Sequence, residues 1–163
     1  MTTIAWDGIT IAHDSQATAG NLVLANVPKL FPVSQGDELF IFGELAVLIT
    51  CSGSSGDHRH AMHFMRNCTQ DGILEMAEEL AFCAWVFTNA GRCWAIQKQP
   101  GNVMPSVYEV IPPAAAGSGS DIAMTAMYLG QSAEQAVITA SVLDAFTDAN
   151  VKTYPFKYGE AIK

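Results

Sequence analysis

Thr2-Thr3-Ile4-Ala5-Trp6-Asp7-Gly8-Ile9-Thr10-Ile11-Ala12-His13 carries the clearest local signal in the chain. Two β-prone runs, Thr2 to Trp6 and Ile9 to His13, flank Asp7-Gly8. An Asp-Gly pair between strands signals a type I′ hairpin turn, because both central residues of that turn need φ > 0. The reading places the chain in an antiparallel sheet from residue 2 onward.

Outward from this hairpin, Asp14 to Asn21 is polar and small, and Val23 to Val33 carries Pro28 and Pro32, which suits extended segments and loops rather than a helix. Leu39 to Phe42 and Glu44 to Thr50 read as a second hairpin around Gly43. A small-residue loop, Cys51-Ser52-Gly53-Ser54-Ser55-Gly56, leads into a helix from about Ser55 to Asn67, with Ala61, Phe64, Met65 and Cys68 at helical spacing. Asp71 to Leu80 is expected to add a short second helix. Ala81 to Thr88, Arg92 to Gln97 and Val107 to Ile111 read as strands. Pro112 to Ser120 has the composition of a flexible linker. The apolar positions of Asp121 to Leu129 follow at once, however, so a strand-to-helix turn is the competing reading. Ser132-Ala133-Glu134-Gln135 is a capping box opening a further helix, and Val151 to Tyr158 reads as a last strand. Strands and helices come in separate runs, which argues an α+β fold with antiparallel sheets over a doubly wound one.

The whole chain is 163 residues long, consistent with one domain spanning 1–163. Half its residues are hydrophobic (50%) and 15% are charged, enough apolar material for a core and too little charge for disorder. Eight Lys and Arg against sixteen Asp and Glu give a net charge of −8 without a basic run, which argues against nucleic-acid binding. No stretch approaches a membrane span and the N-terminus lacks a signal-peptide pattern, so a cytoplasmic protein without a membrane partner is expected. Cys51, Cys68, Cys83 and Cys93 form no C-x-x-C and no dense framework and are expected to be buried free thiols. His58, His60 and His63 cluster on the first helix, with no third ligand at motif spacing for the His60 and His63 pair, so no metal site and no cofactor are expected.

Several blocks in order resemble proteasome β-type subunits, and most closely HslV-type peptidases. They are Thr2-Thr3-Ile4, then Ile11-Ala12-His13-Asp14-Ser15-Gln16-Ala17-Thr18 with Gly20-Asn21, then Asn26-Val27-Pro28-Lys29, Gly53-Ser54-Ser55-Gly56-Asp57, Gly117-Ser118-Gly119 and Asp148. The resemblance implies a four-layer αββα sandwich, two antiparallel sheets between helices, as in N-terminal nucleophile hydrolases. The second helix would be shortened, because the chain between the first helix and Ala81 is much shorter than in HslV-type subunits.

The resemblance further implies a threonine-type peptidase. Met1 would be removed, leaving Thr2 as nucleophile with its own free α-amine as base. Such an amine has an ordinary pKa near 7.7–8.0 and is substantially neutral at working pH. Lys29 would favour the neutral amine and stabilise the attacking oxygen, Asp14 would hold Lys29, and Gly53 would supply an oxyanion N–H. Ser118 and Asp148 would support the amine, and Thr3 would serve in strand packing. Ala17, Val27, Phe31, Cys51 and Ser55 would line an uncharged substrate pocket. The implied partners are copies of the same chain in a ring or similar assembly and a peptide or unfolded-protein substrate; an ATPase unfoldase is left open, since the shortened region contributes to its docking in that family. Two alternatives stand beside this reading: a small-amide hydrolase using the same chemistry, and an inactive assembly subunit.

Overall fold

A computed structural model describes residues 2–19, 21–34, 36–53, 56–68 and 74–162. In chain order the strands are β1 (Thr3–Trp6), β2 (Thr10–His13), β3 (Ala17–Ala19), β4 (Leu22–Leu24), β5 (Leu30–Pro32), β6 (Phe40–Ile41) and β7 (Glu44–Ser52). Helix α1 (Asp57–Asn67) follows, then β8 (Phe82–Thr88), β9 (Cys93–Lys98), β10 (Ser106–Glu109) and β11 (Ala114–Gly117). Helices α2 (Ser120–Tyr128) and α3 (Ala133–Leu143) and strand β12 (Lys152–Pro155) complete the order. All strand pairs among the described residues are antiparallel.

The chain packs into two compact units, one made of 1–29 with 111–158 and the other of 30–110 with 159–163. In the first, the sheet order is β11-β1-β2-β12, and the N-terminal hairpin provides its two central strands. Ile4 faces His13 and Trp6 faces Ile11 across that hairpin. The turn differs from the type I′ expectation, because Asp7 keeps an ordinary φ and Gly8 alone is positive, at 93°. The Asp7 carboxylate sets this geometry by accepting from the amides of Ile9 (2.9 Å) and Thr10 (2.7 Å). Helices α2 and α3 pack on the sheet through small residues, Ala123, Ala126, Ala133, Ala136 and Ala140, against Ala5 and Ala12. The capping box at Ser132 and Gln135 forms as read. Pro112 to Ser120 is β11 and the entry to α2, not a linker.

In the second unit the sheet order is β10-β9-β8-β7-β5, with β6 beside β7. Helix α1 buries Ala61, Phe64 and Met65 against this sheet. The short helix expected over 71–80 does not form over 74–80; residues 69–73 lie outside the described residues. The backbone there is committed elsewhere. Met76 N–H donates to Val103, and the Glu78 and Leu80 carbonyls receive the buried Lys98 ammonium. Leu74, Met76 and Leu80, at even spacing, pack on the core. All four cysteines are free, but Cys68 and Cys83 are half-buried where full burial was expected, because Cys68 sits at the exit of α1 and Cys83 near the start of β8.

Candidate active site

The site is built at the ends of the central strands of the first unit. Thr2 precedes β1, and Asp14 follows β2 at the same end of the hairpin, where Asp14 N–H donates to the Thr3 carbonyl at 3.2 Å. The strand pairing therefore sets the two residues side by side, although they are twelve apart in sequence. Asp14 is wholly buried, and its Oδ1 accepts three bonds: from the Thr2 hydroxyl (2.6 Å), the Thr3 amide (2.8 Å) and the Lys29 ammonium (2.8 Å). Its Oδ2 accepts from Gln16 N–H at 3.0 Å. Four donors thus converge on one buried carboxylate.

Lys29 is 6% exposed and also donates to the Gln16 carbonyl at 2.5 Å. Burial pulls its ammonium below the ordinary lysine range, and the bond and charge of Asp14, with the charge of Asp148, oppose that pull. His13, next to Asp14, is buried and donates Nδ1–H to the Asp14 carbonyl at 2.6 Å. Burial lowers its pKa and keeps it neutral, against the raising effect of that bond.

On the other side of Thr2, Ser118 N–H donates to the Thr2 carbonyl at 2.8 Å. This approach requires glycine at 117: its φ is +96° and a Cβ there would collide with the Thr2 carbonyl oxygen. The Ser118 hydroxyl donates to Asp144 Oδ2 at 2.6 Å, and Thr147 Oγ1 donates to the same oxygen at 2.6 Å. Burial tends to raise the Asp144 pKa, but the bonds from Ser118, Thr147 and the Phe146 amide outweigh it and hold the carboxyl below the ordinary range. Thr147 Oγ1 also lies 2.5 Å from Thr3 Oγ1, which accepts from Gly119 N–H at 3.1 Å.

Thr2, Asp14, Lys29 and Ser118 are thus brought together by direct hydrogen bonds. Asp148 is not bonded to Ser118; its Oδ1 accepts Ser15 N–H at 2.9 Å, on the lysine side. Asp144 and Thr147 occupy the place beside Ser118, and the sequence reading missed both. Their signal was the Asp-x-x-Thr spacing immediately after α3, where the last helical turn ends. Thr3 does more than pack, since its amide and hydroxyl link Asp14, Gly119 and Thr147.

Gly53, Phe31 and Cys51 belong to the second unit. Gly53 has φ +140°, and the Asp57 carboxylate occupies the space a Cβ would need. The Phe31 ring stacks on His58 at 3.8 Å and 12°. Burial, with the Asp57 charge, pushes the Cys51 thiol far above its ordinary range, so it is not a nucleophile. Ala17 is half-buried on β3, and Val27 N–H donates to the Ser15 carbonyl at 2.9 Å. Ser55 lies outside the described residues. The histidines of α1 have separate neighbours, His58 on Phe31, His60 by Phe82 and His63 by Asn67. Among the described residues no cluster of three metal-ligating side chains exists.

The described residues thus combine antiparallel sheets and three helices with a threonine at the mouth of the first strand, set against a buried Asp–Lys pair. Solved structures carry the same fold. HslV from Trypanosoma brucei superposes with a TM-score of 0.65 at 19% identity, covering 96% of this chain and 99% of that one. BPH of Thiobacillus denitrificans superposes with a TM-score of 0.62 at 17% identity, covering 96% of this chain and 97% of that one. The same BPH in complex with epoxomicin gives 0.62 at 18% identity over the same shares. No family model matches the sequence, and no curated protein matches it. The resemblance to the HslV and proteasome β-type family read from the sequence is thus met in the fold.

Proposed function

We propose that this chain is a threonine-type endopeptidase subunit whose nucleophile is Thr2 after removal of Met1. One observation carries the reading: the Thr2 hydroxyl and the Lys29 ammonium share a single oxygen of the buried Asp14 carboxylate. A surface acid and base would have no reason to be buried together against an N-terminal hydroxyl, since desolvating both charges costs several kcal/mol.

While Met1 is attached, the Thr2 nitrogen is an amide and cannot accept a proton. Removal of Met1 turns it into an amine, the base that the mechanism needs. Thr2 Oγ1 then attacks the scissile carbonyl carbon, and its proton passes to the α-amine. Lys29 stabilises the oxygen as it loses that proton, with Asp14 orienting the ammonium. By the family resemblance, Gly53 N–H is the proposed oxyanion donor. The C–N bond breaks as the α-amine returns the proton to the leaving amine, leaving an ester on Thr2. Water, activated by the same amine, hydrolyses the ester and regenerates the hydroxyl. Ser118, held by Asp144, and Asp148, through Ser15, support the two sides of this arrangement.

By the family resemblance, Ala17, Val27, Phe31, Cys51 and Ser55 are proposed as substrate-binding residues, favouring an uncharged side chain before the scissile bond. A single domain over 1–163 is proposed, of the four-layer αββα class that the family resemblance implies. Self-association is supported by exposed apolar residues on β3–β4 (Leu22, Val23, Leu24) and at the end of α3 (Val142, Leu143). The substrate would be a peptide or an unfolded chain, confined by an assembly of identical subunits. No helix among the described residues is long and apolar enough to cross a membrane, and a cytoplasmic location is proposed.

The test is the intact mass of the natively purified protein before and after a peptide epoxyketone, which needs both the hydroxyl and a free α-amine. Loss of Met1 with one adduct per chain supports the reading. Retained Met1 without an adduct moves the assignment to an assembly role, and a Met1-free chain without an adduct overturns the peptidase.

A further inference from the structure

Between Asp14 and Gln16, the two residues that receive the Lys29 ammonium, lies Ser15, which is 1% exposed. Its amide, hydroxyl and carbonyl are all engaged by other segments. Ser15 N–H donates to Asp148 Oδ1 at 2.9 Å, and Ser15 Oγ donates to the Asn150 carbonyl at 2.7 Å. The Ser15 carbonyl receives Val27 N–H at 2.9 Å. Asn150 Nδ2 closes the loop by donating to Asn26 Oδ1 at 2.6 Å.

Asn26 has φ 59°, a left-handed conformation uncommon for residues other than glycine. It stands three residues before Lys29, with Pro28 fixing the backbone between them. The segment that delivers the lysine is therefore bent sharply and fastened at both sides of the bend, by Val27 to Ser15 and by Asn26 to Asn150. The loop that follows α3 does two jobs in sequence: Asp144 holds Ser118 beside Thr2, and Asp148 with Asn150 holds Ser15 beside the lysine. A loop tied at both places couples the amine side of the site to the ammonium side.

We propose that Ser15 is a positioning residue that sets the reach of Lys29 by clamping the 148–150 loop and the 26–27 segment onto the turn carrying Asp14. It touches no reacting atom. Its effect is transmitted through Lys29, whose ammonium must stay between Asp14 and Gln16 to act on the Thr2 oxygen. The proposal rests on the reading of Thr2 as the nucleophile.

The experiment compares Met1-free wild type, Ser15→Ala and Asn150→Ala in the rate of covalent labelling by a peptide epoxyketone, resolved into its binding constant and its maximal rate, across pH. Ser15→Ala should lower the maximal rate by about tenfold or more, as small displacements of a catalytic group do, with the binding constant within about twofold. Its alkaline limb should move to lower pH, because a looser Asp14 contact leaves the ammonium less supported. Asn150→Ala, which removes only an exposed side-chain bond, should show a smaller loss of the same kind and stands in if Ser15→Ala fails to fold. Maximal rates and pH limbs equal to wild type in the folded variants overturn the clamp while leaving the peptidase intact. A Met1-free wild type that does not label overturns both, and is recognised because the parent itself is silent.

Discussion

The hydroxyl of Ser118 donates to Asp144 at 2.6 Å, while the amide of the same serine holds the Thr2 carbonyl at 2.8 Å. One residue in the turn between β11 and α2 thus ties Thr2 to the loop after α3. Asp148, four residues further on, serves the opposite side through Ser15.

This division separates the two aspartates experimentally. Asp144→Asn should lower epoxyketone labelling by about tenfold or more, since it weakens the charge-assisted bond that orients Ser118. Asp148→Asn should show a smaller loss, because the amide oxygen can still accept the Ser15 N–H. Equal losses in the two variants would refute the assignment of Asp144 to the amine side.

Lys29→Met should reduce labelling by about a hundredfold or more, by removing the cation proposed to meet the attacking oxygen. It also strands the buried Asp14 carboxylate, so stability should fall by about 3–5 kcal/mol, as read from urea unfolding at pH 7.5.

The pH profile should respond to Asp14 in a set direction. Burial already holds the Lys29 pKa below the usual lysine value, and Asp14 is the largest influence opposing that shift. Asp14→Asn therefore lowers it further, and the alkaline limb of the labelling rate should move to lower pH. A limb that stays in place would mean that Lys29 does not govern it.

Neutral His13 gives stability its own pH dependence. Its folded pKa lies below the ordinary 6.5, so as pH falls through 6.5 the unfolded chain gains a proton that the folded chain refuses. Stability then declines down to the folded value and levels off below it. Urea midpoints at pH 7.5 and 5.0 should converge in His13→Gln relative to wild type; an unchanged difference would assign the decline to other groups.

Gly117→Ala tests the close backbone approach at Thr2. The substitution forces an L side chain into φ +96° against the Thr2 carbonyl oxygen, costing on the order of 1–3 kcal/mol in strain. It should also displace Thr2, so labelling should fall by more than the loss of folded protein explains. Thermal unfolding and labelling measured on one preparation give both quantities.

Much of this was legible in the sequence. The alternation around Asp7-Gly8 gave the N-terminal hairpin, and Ser132 with Gln135 gave the start of α3, because both signals act within a few residues of backbone. Thr2, Asp14, Lys29 and Ser118 stood out through ordered motif blocks, and the structure joins them by hydrogen bonds. Local signals were less reliable where a distant partner competes for the backbone. The residues from Leu74 to Leu80 have helical composition, yet the buried Lys98 ammonium and the Val103 carbonyl take the groups a helix would pair internally. The Asp7-Gly8 turn likewise follows its aspartate side chain rather than the type I′ pattern.

The antiparallel hairpins, the cap of α3 and a threonine directly after Met1 are all properties of short segments, so they could be read from the residues alone. Which aspartate holds Ser118, and that Ser15 joins the lysine segment to the loop after α3, followed only from the folded chain. Asp144 and Asp148 are the same residue type four positions apart, and a hydrogen bond of 2.6 Å selects between them by where the folded backbone places each carboxylate, a quantity that no local pattern encodes.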